Sequence, residues 1–177
     1  MTQDNMGQTM TLITRRLTVV GLGLAVAGCA QQPPSKFRSY TGPDVTSIQM
    51  FKGQRRMFLM NDTTALKTYN FELGFAPVGQ KQVEGDGRTP EGAYMIDRRN
   101  PNSQYHLSIG ISYPNARDRE IAKALGQSPG GDIFIHGTPK SVLGQKDWTA
   151  GCIAITNDEI EEAYAMVKDG TPIYIYA

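Results

Sequence analysis

The sequence predicts a mainly β domain with a few helices, and two observations support this class. Seven short runs of apolar, β-branched or aromatic residues alternate with turn-forming segments, which is typical of strands. Only two stretches repeat apolar residues with helical spacing. The chain has 177 residues, enough for one domain with a sizeable core. The predicted strands are residues 47–51, 55–60, 66–73, 93–96, 105–111, 132–135 and 173–176.

The segments between these strands have the residues of turns and loops. Residues 47–51 and 55–60 flank Lys52-Gly53-Gln54, which predicts a hairpin. Residues 84–92 hold three glycines and a proline, so they predict an irregular loop. We therefore expect short strands joined mostly by turns.

The first predicted helix covers residues 118–125 and ends before Gly126. The second helix is predicted to begin at Thr156, because Thr156 and Glu159 have the spacing of a capping box, and to end before Gly170. Its apolar stripe consists of Ile160, Ala163, Tyr164 and Val167. We interpret its acidic first turn as a solvated cap on the positive end of the helix dipole, not as a set of metal ligands. That turn contains Asp158, Glu159, Glu161 and Glu162.

The N-terminus has the pattern of an export signal. Two arginines, Arg15-Arg16, precede a short apolar stretch at 17–28, and Val26-Ala27-Gly28-Cys29 resembles the bacterial lipoprotein cleavage box. We predict a lipoprotein signal peptide at 1–29 with Cys29 lipidated, a flexible tether at 30–45 and the folded domain at 46–177. A plain cleaved signal is the alternative. The expected location is the periplasm, with a lipid anchor in a membrane. Ala30 after Cys29 favours the outer membrane.

Charge and composition exclude several classes of function. The formal net charge of +1 does not provide the basic face that nucleic-acid binding needs. The chain contains no run of eighteen apolar residues, so the sequence does not predict a membrane-spanning helix. Two histidines and one available cysteine lack the spacing of a metal site, and the glycine-rich loop lacks the Gly-Lys-Ser/Thr ending of a P-loop. We predict no metal and no cofactor.

Cys152 is the candidate nucleophile. It lies sixteen residues after His136, which follows the strand-like run Ile133-Phe134-Ile135. The thiolate is the reactive form of cysteine, and an imidazole can lower its pKa or take its proton. The alternative is a small buried cysteine and a core histidine. Because a lipidated Cys29 cannot pair with Cys152, the thiol would be unpaired in an oxidising compartment, which favours a functional role.

The neighbours of Cys152 predict the rest of a site. The N–H groups of Gly151 and Cys152 are candidate oxyanion donors, although Gly151 could also be a simple turn glycine. Thr149 either hydrogen-bonds His136 or faces solvent. Trp148 either lines the cleft or packs at the edge of the domain. With Gly137, these two residues form the predicted substrate-binding set.

His106 is the second histidine of the chain. It lies within the predicted strand 105–111, between Tyr105 and Leu107. This position favours a role in the core or in support of the site, so that replacing His106 affects stability more than rate.

Several of these segments resemble the L,D-transpeptidase catalytic domain (YkuD) family. The family's signature is similar to His136-Gly137 followed by residues 149–153, Thr-Ala-Gly-Cys-Ile. Residues 85–94 contain the family's Thr-Pro-x-Gly segment, and residues 112–115 and 130–137 match as well. The resemblance covers 46–177. It implies a single β-rich domain in which Cys152 attacks the amide after the third residue of a peptidoglycan stem peptide, usually meso-diaminopimelate, with His136 as base.

Two positions depart from the family's pattern. Ala150 stands where a second histidine is frequent, and Ala154 stands where an arginine commonly follows the cysteine. Residues 151–162 look closer to a branch whose members release peptidoglycan-bound lipoprotein. We therefore expect transpeptidation through a Cys152 thioester, with two alternatives. One is hydrolysis of the same bond, as a carboxypeptidase or by release of an attached lipoprotein, and the other is a wall-binding lipoprotein without catalysis.

Overall fold

A computed structural model describes residues 35–177, which form eight strands and two α-helices. The predicted mainly β class is confirmed. The strands are β1 Ser47–Phe51, β2 Arg56–Asn61, β3 Thr64–Asn70, β4 Gly92–Asn100, β5 Ser108–Ile111, β6 Phe134–His136, β7 Ile153–Ala154 and β8 Pro172–Tyr176. The helices are α1 Ala116–Ala124 and α2 Asn157–Met166, and Lys140–Val142 is one turn of 3-10 helix.

The strands form one sheet in the order β3-β2-β1-β8-β4-β5-β6-β7. Most neighbours are antiparallel, whereas β1 with β8 and β6 with β7 are parallel. The two ends of the sheet meet, because Glu72 just after β3 pairs with Ala154 of β7 through N–H to O bonds of 2.8 and 2.9 Å. This closure curls the sheet and brings β6 and β7 beside the segment that follows β3.

The core is formed by buried apolar side chains of the strands and of α2. Apolar residues at alternate strand positions are buried, as the two-residue period of a strand requires. In α2, Ile160, Ala163, Met166 and the following Val167 are buried, and Tyr164 packs on the core with part of its ring. The helix contacts β5 and β6. The predicted stripe of α2 thus faces the strand that carries His136.

Some predicted boundaries were wrong for identifiable reasons. Strand β4 continues to Asn100 through charged residues, because its long antiparallel pairing with β5 does not need apolar side chains. Strand β7 is only two residues long, too short to give a periodic pattern. Helix α1 begins at Ala116, with Asn115 as its N-cap and Asp118 completing a capping box.

The prediction for His106 was also wrong in its secondary structure. His106 lies in a turn before β5, with a φ of +72°, and not in a strand. Alternation of Tyr105, His106 and Leu107 looked like a strand, but a backbone turn at His106 interrupts it.

The predicted signal peptide at 1–29, with Cys29, lies outside the described residues. Part of the predicted tether at 30–45 is described, and there Lys36 and Arg38 make side-chain hydrogen bonds to the domain. Contacts with the domain therefore begin before residue 46. Between residues 35 and 177, no helix is long and apolar enough to cross a membrane.

Candidate active site

Cys152 and His136 lie at one edge of the sheet and line the same cavity of about 380 Å³. His136 ends β6, and Cys152 directly precedes β7, its parallel neighbour. His136 is paired with Ala154 of β7, so Cys152 lies two residues before the position opposite His136. The fold thus brings together two residues that are sixteen positions apart in sequence.

His136 is buried, with 2% of its surface exposed. Its Nδ1 lies 2.8 Å from the carbonyl oxygen of Gly137. Because a carbonyl can only accept, Nδ1 carries the proton and donates it, which leaves Nε2 of the neutral ring as an acceptor. Burial lowers the pKa of His136, and the bond to Gly137 only partly opposes this. His136 is therefore a neutral imidazole at pH 7, suited to accept a proton.

Two aromatic side chains hold the ring of His136. Tyr105 stacks on it, with centroids 4.4 Å apart and planes inclined by 24°. Trp148 meets it edge-on at 5.6 Å. Tyr105 was not among the predicted site residues, because only the turn at His106 directs it toward His136. These contacts fix the plane of the imidazole.

Trp148 does not line the cavity shared by Cys152 and His136. It borders a neighbouring cavity of about 270 Å³, together with Thr138 and Leu143. The structure therefore places Trp148 between the two cavities, in contact with His136. A substrate-binding role would have to act through this second cavity or through the orientation of the imidazole.

The thiol of Cys152 is partly exposed and uncharged in the resting protein. Its Sγ lies 3.3 Å from the carbonyl oxygen of Asp132 and donates to it. Burial raises the pKa of the Cys152 thiol, and the N–H of Phe134, which donates to the sulfur, offsets part of this effect. A raised cysteine pKa beside a lowered histidine pKa means that the resting pair is thiol and imidazole, not thiolate and imidazolium.

Thr149 fits neither of the two predicted alternatives. Its hydroxyl is buried, donates to the Cys152 carbonyl at 2.7 Å and accepts from the Gly151 N–H at 3.2 Å. The side chain thus closes the turn that presents Cys152, and it does not reach His136 or solvent. The predicted substrate-binding role of Thr149 stays a prediction.

Gly151 is required by the backbone of this turn. Its φ is +130°, and a Cβ there would lie 2.6 Å from the carbonyl oxygen of Arg88. Its own carbonyl accepts from the buried Thr89 hydroxyl at 2.8 Å. Of the two predicted oxyanion donors, the Gly151 N–H is already bonded to Thr149. The Cys152 N–H has no hydrogen-bond acceptor among the described residues.

The glycine-rich loop at residues 84–92 stabilises the turn that contains Gly151 and Cys152. Asp86 accepts from the side chain of Lys81 at 2.9 Å and from the N–H groups of Gln82 and Arg88 at 2.8 and 3.0 Å. Burial alone would raise the pKa of Asp86, but these hydrogen bonds outweigh it and lower the pKa below its usual value. The charged Asp86 therefore shapes the loop that brings Thr89 to Gly151.

Gly137 lies where two segments pack closely. A Cβ there would collide with Asn157 Oδ1 and lie 2.8 Å from the Tyr105 carbonyl oxygen. Its N–H donates to that same carbonyl at 3.0 Å. Gly137 therefore allows the 105–106 turn to approach β6, and it does not itself line the cavity.

The cavity walls are mostly uncharged hydrogen-bonding groups, which the sequence patterns did not reveal. Asp132 is its one carboxylate, and its side chain is 92% exposed. Within the described part of the chain, no group of three or more potential ligands could hold a metal ion. The polar wall residues are Asn100, Asn102, Ser103, Gln104 and Ser108.

The chain belongs to a known class of proteins. Residues 46–175 match the L,D-transpeptidase catalytic domain family, YkuD, and the chain is a member of that family. It is 32% identical over 152 residues to YafK of Escherichia coli strain K12, provisionally named an L,D-transpeptidase; the match covers 82% of this chain and 56% of YafK. The predicted family and fold are confirmed.

Solved structures show the same relation. The helical cell shape determining protein Pgp2 of Campylobacter jejuni superposes with a TM-score of 0.58 and 26% identity, over 77% of this chain and 49% of Pgp2. Bd1075 of Bdellovibrio bacteriovorus gives 0.53 and 28%, over 75% of this chain and 48% of Bd1075. The chain spans about half the length of these relatives.

Proposed function

We propose that the protein is an exported cysteine acyltransferase that forms a Cys152 thioester with peptidoglycan stem peptides and passes the acyl group to an amine, which is L,D-transpeptidation. One observation carries this proposal. The chain is a member of the L,D-transpeptidase family, and Cys152 and His136 line a single open cavity. Cys152 is the one cysteine of the described region, and His136 is a neutral histidine whose Nε2 can accept a proton.

The proposed reaction begins with two neutral groups. As Sγ of Cys152 attacks the carbonyl carbon of the scissile amide, His136 Nε2 takes the thiol proton, so that thiolate forms only when substrate is present. The Cys152 N–H donates to the developing oxyanion. The C–N bond then breaks, the leaving amine takes the proton from the imidazolium, and a thioester remains. An acceptor amine attacks the thioester carbonyl and its proton passes to His136. The C–S bond then breaks, and Sγ takes that proton back from the imidazolium, which restores the thiol.

The walls of the cavity suit a peptide substrate. Amides and hydroxyls such as Asn100, Gln104 and Ser108 can donate to and accept from the amide groups of an extended peptide. The family resemblance supplies the expected bond, the amide after the third stem residue. We infer no nucleic acid, metal or cofactor in this reaction.

Hydrolysis of the same bond is the second candidate. It is supported by the partial exposure of Cys152 in an open cavity, which lets water reach a thioester. In that case water replaces the acceptor amine, and the protein would act as a carboxypeptidase or release a peptidoglycan-attached lipoprotein. The likeness to Pgp2, which is named a helical cell shape determining protein, is compatible with this candidate.

Product analysis distinguishes the two reactions. The purified chain is incubated with peptidoglycan sacculi or defined muropeptides, the products are separated, and their masses are measured by mass spectrometry. New crosslinks identify transpeptidation, whereas a freed residue or a released lipoprotein identifies hydrolysis. We expect Cys152→Ala to remove either activity with the fold retained, because the substitution is small. Near-wild-type turnover by Cys152→Ala would refute the nucleophile, and binding to sacculi without turnover by the wild type would favour a wall-binding role.

The proposed location depends on the sequence before residue 35. We propose export to the periplasm, lipidation at Cys29 and anchoring in the outer membrane. The support is the order of Arg15-Arg16, the apolar stretch 17–28 and the cleavage box ending in Cys29. Labelling cells with a radioactive fatty acid tests it. The wild-type protein should carry label and Cys29→Ser should not, and equal labelling of both would exclude Cys29 as the lipid site.

A further inference from the structure

A short segment before the predicted domain boundary lies against the wall of the catalytic cavity. We call residues 36–40 the docked segment. Its Lys36 Nζ donates to the carbonyl oxygens of Pro101 at 2.6 Å and His106 at 3.0 Å. These two carbonyls stand at the beginning and the end of the loop 101–106. One ammonium therefore ties both ends of that loop together.

The tied loop is part of the active-site wall. Four of its residues line the cavity that holds Cys152 and His136, and they are Asn102, Ser103, Gln104 and Tyr105. The Tyr105 ring stacks on the imidazole of His136 at 4.4 Å, and its carbonyl accepts from the N–H of Gly137 at 3.0 Å. Any shift of the loop would therefore change both the plane of His136 and the shape of the cavity.

A second contact from the docked segment reaches the same loop. Arg38 Nε donates to Glu161 at 2.9 Å, and the other oxygen of Glu161 lies 2.7 Å from Nε2 of His106. Burial acts to raise the pKa of Glu161, but the hydrogen bonds from His106 and Arg38 outweigh it, so the carboxylate stays charged at neutral pH. His106 has a φ of +72°, which is uncommon for a residue with a side chain, and its contact with Glu161 ties this turn to α2.

We propose that Lys36 is a positioning residue for the active site, which holds loop 101–106 in the conformation that keeps Tyr105 stacked on His136. The segment expected to be a free tether thus contributes to the site it precedes. The catalytic consequence rests on the proposed function of His136. The effect of Lys36 on loop 101–106 and on the plane of the His136 ring does not rest on the proposed function.

The test measures the environment of His136 directly. The chain has two histidines, so the C2-proton NMR signals of the untagged full chain in detergent are assigned with one variant, His136→Gln. A stacked tyrosine ring shifts the His136 signal, and Tyr105→Ala gives its position without the ring. We expect Lys36→Met to move the signal toward that position, and Lys36→Arg to restore it, because arginine can still donate to both carbonyls. With stem-peptide substrate, Lys36→Met should lower kcat about tenfold with a smaller change in KM.

The matched control is Lys168→Met. Lys168 makes an exposed ion pair with Asp44, also in the predicted tether, and does not touch loop 101–106. It should leave the His136 signal and kcat unchanged. The proposal is overturned if Lys36→Met leaves the signal at its wild-type position, or if Lys168→Met moves it equally. If the wild type turns over no muropeptide, the proposed function fails, and the NMR comparison still decides the role of Lys36.

Discussion

The chemistry proposed for this site depends on two residues, Cys152 and His136, that are each held in their uncharged form. Burial disfavours the charged form of both groups, so it raises the pKa of Cys152 and lowers the pKa of His136. A neutral pair can react only when substrate approach makes proton transfer from Sγ to Nε2 favourable. An idle thiol of this kind is also less exposed to oxidation, because oxidants attack the thiolate.

Alkylation of the free protein tests the resting state of Cys152. Iodoacetamide reacts with the thiolate, so the rate at Cys152, followed by mass of its peptide, should rise roughly tenfold per pH unit between pH 7 and 9. The rate rises with pH because the raised pKa of Cys152 leaves little thiolate at neutral pH. A rate that is already at its plateau between pH 5 and 8 would instead indicate a preformed thiolate–imidazolium pair.

At the residue scale, sequence patterns singled out Cys152 and His136, which the structure places in one cavity, but not the residues around them. Cys152 and His136 are recognisable because each stands beside a short apolar strand and a glycine. The partners of Thr149 and the stacking of Tyr105 depend on turns whose backbone angles no local pattern encodes. The engagement of the Gly151 N–H by Thr149 is likewise a property of the folded loop.

At the element scale, helix α2 links the core to the site. The N-cap of α2 is Thr156. The residue before this cap, Ile155, donates its N–H to the His136 carbonyl oxygen at 2.9 Å. Further along, Glu161 of the same helix contacts His106. The start of α2 therefore determines the position of β6 on one side and of loop 101–106 on the other. The capping box that predicts this start from sequence is present in the structure.

Removing the cap should weaken the whole domain measurably. The Thr156 hydroxyl accepts from the Glu159 N–H at 3.2 Å, and the Glu159 carboxylate accepts from the Thr156 N–H at 2.9 Å. We expect Thr156→Ala to lower the free energy of unfolding by about 1 kcal/mol, because it leaves the Glu159 N–H without its acceptor. Urea denaturation should show a lower midpoint with an unchanged slope. Thr156→Ser keeps the hydroxyl and is the matched control, and an equal loss in both variants would exclude the cap as the cause.

At the scale of the whole molecule, the candidate active site lies where the two ends of the sheet meet. Sequence patterns predicted most of the strands, but not their order, since pairing between Glu72 and Ala154 joins segments more than eighty residues apart. Near this closure, Asp147 receives hydrogen bonds from Arg55 and, at 3.3 Å, from the Leu73 N–H. Its own N–H donates to Glu72 at 3.1 Å. Asp147 directly precedes Trp148, so the closure also determines where the indole meets His136.

This closure should make the fold sensitive to acid. The hydrogen bond from Arg55 is the main cause that lowers the pKa of Asp147, and it outweighs the opposite effect of burial. Because the folded pKa lies below the unfolded one, the unfolded chain binds the proton more readily. The stabilisation is therefore fully present above about pH 4 and is lost as pH falls through the folded pKa. We expect Asp147→Asn to cost about 1 kcal/mol at pH 7, and the difference from wild type to shrink at pH 3. Urea unfolding at both pH values measures this, with the exposed Asp169→Asn as control. A cost that stays constant between pH 7 and pH 3 would show that the charge of Asp147 does not stabilise the joined ends of the sheet.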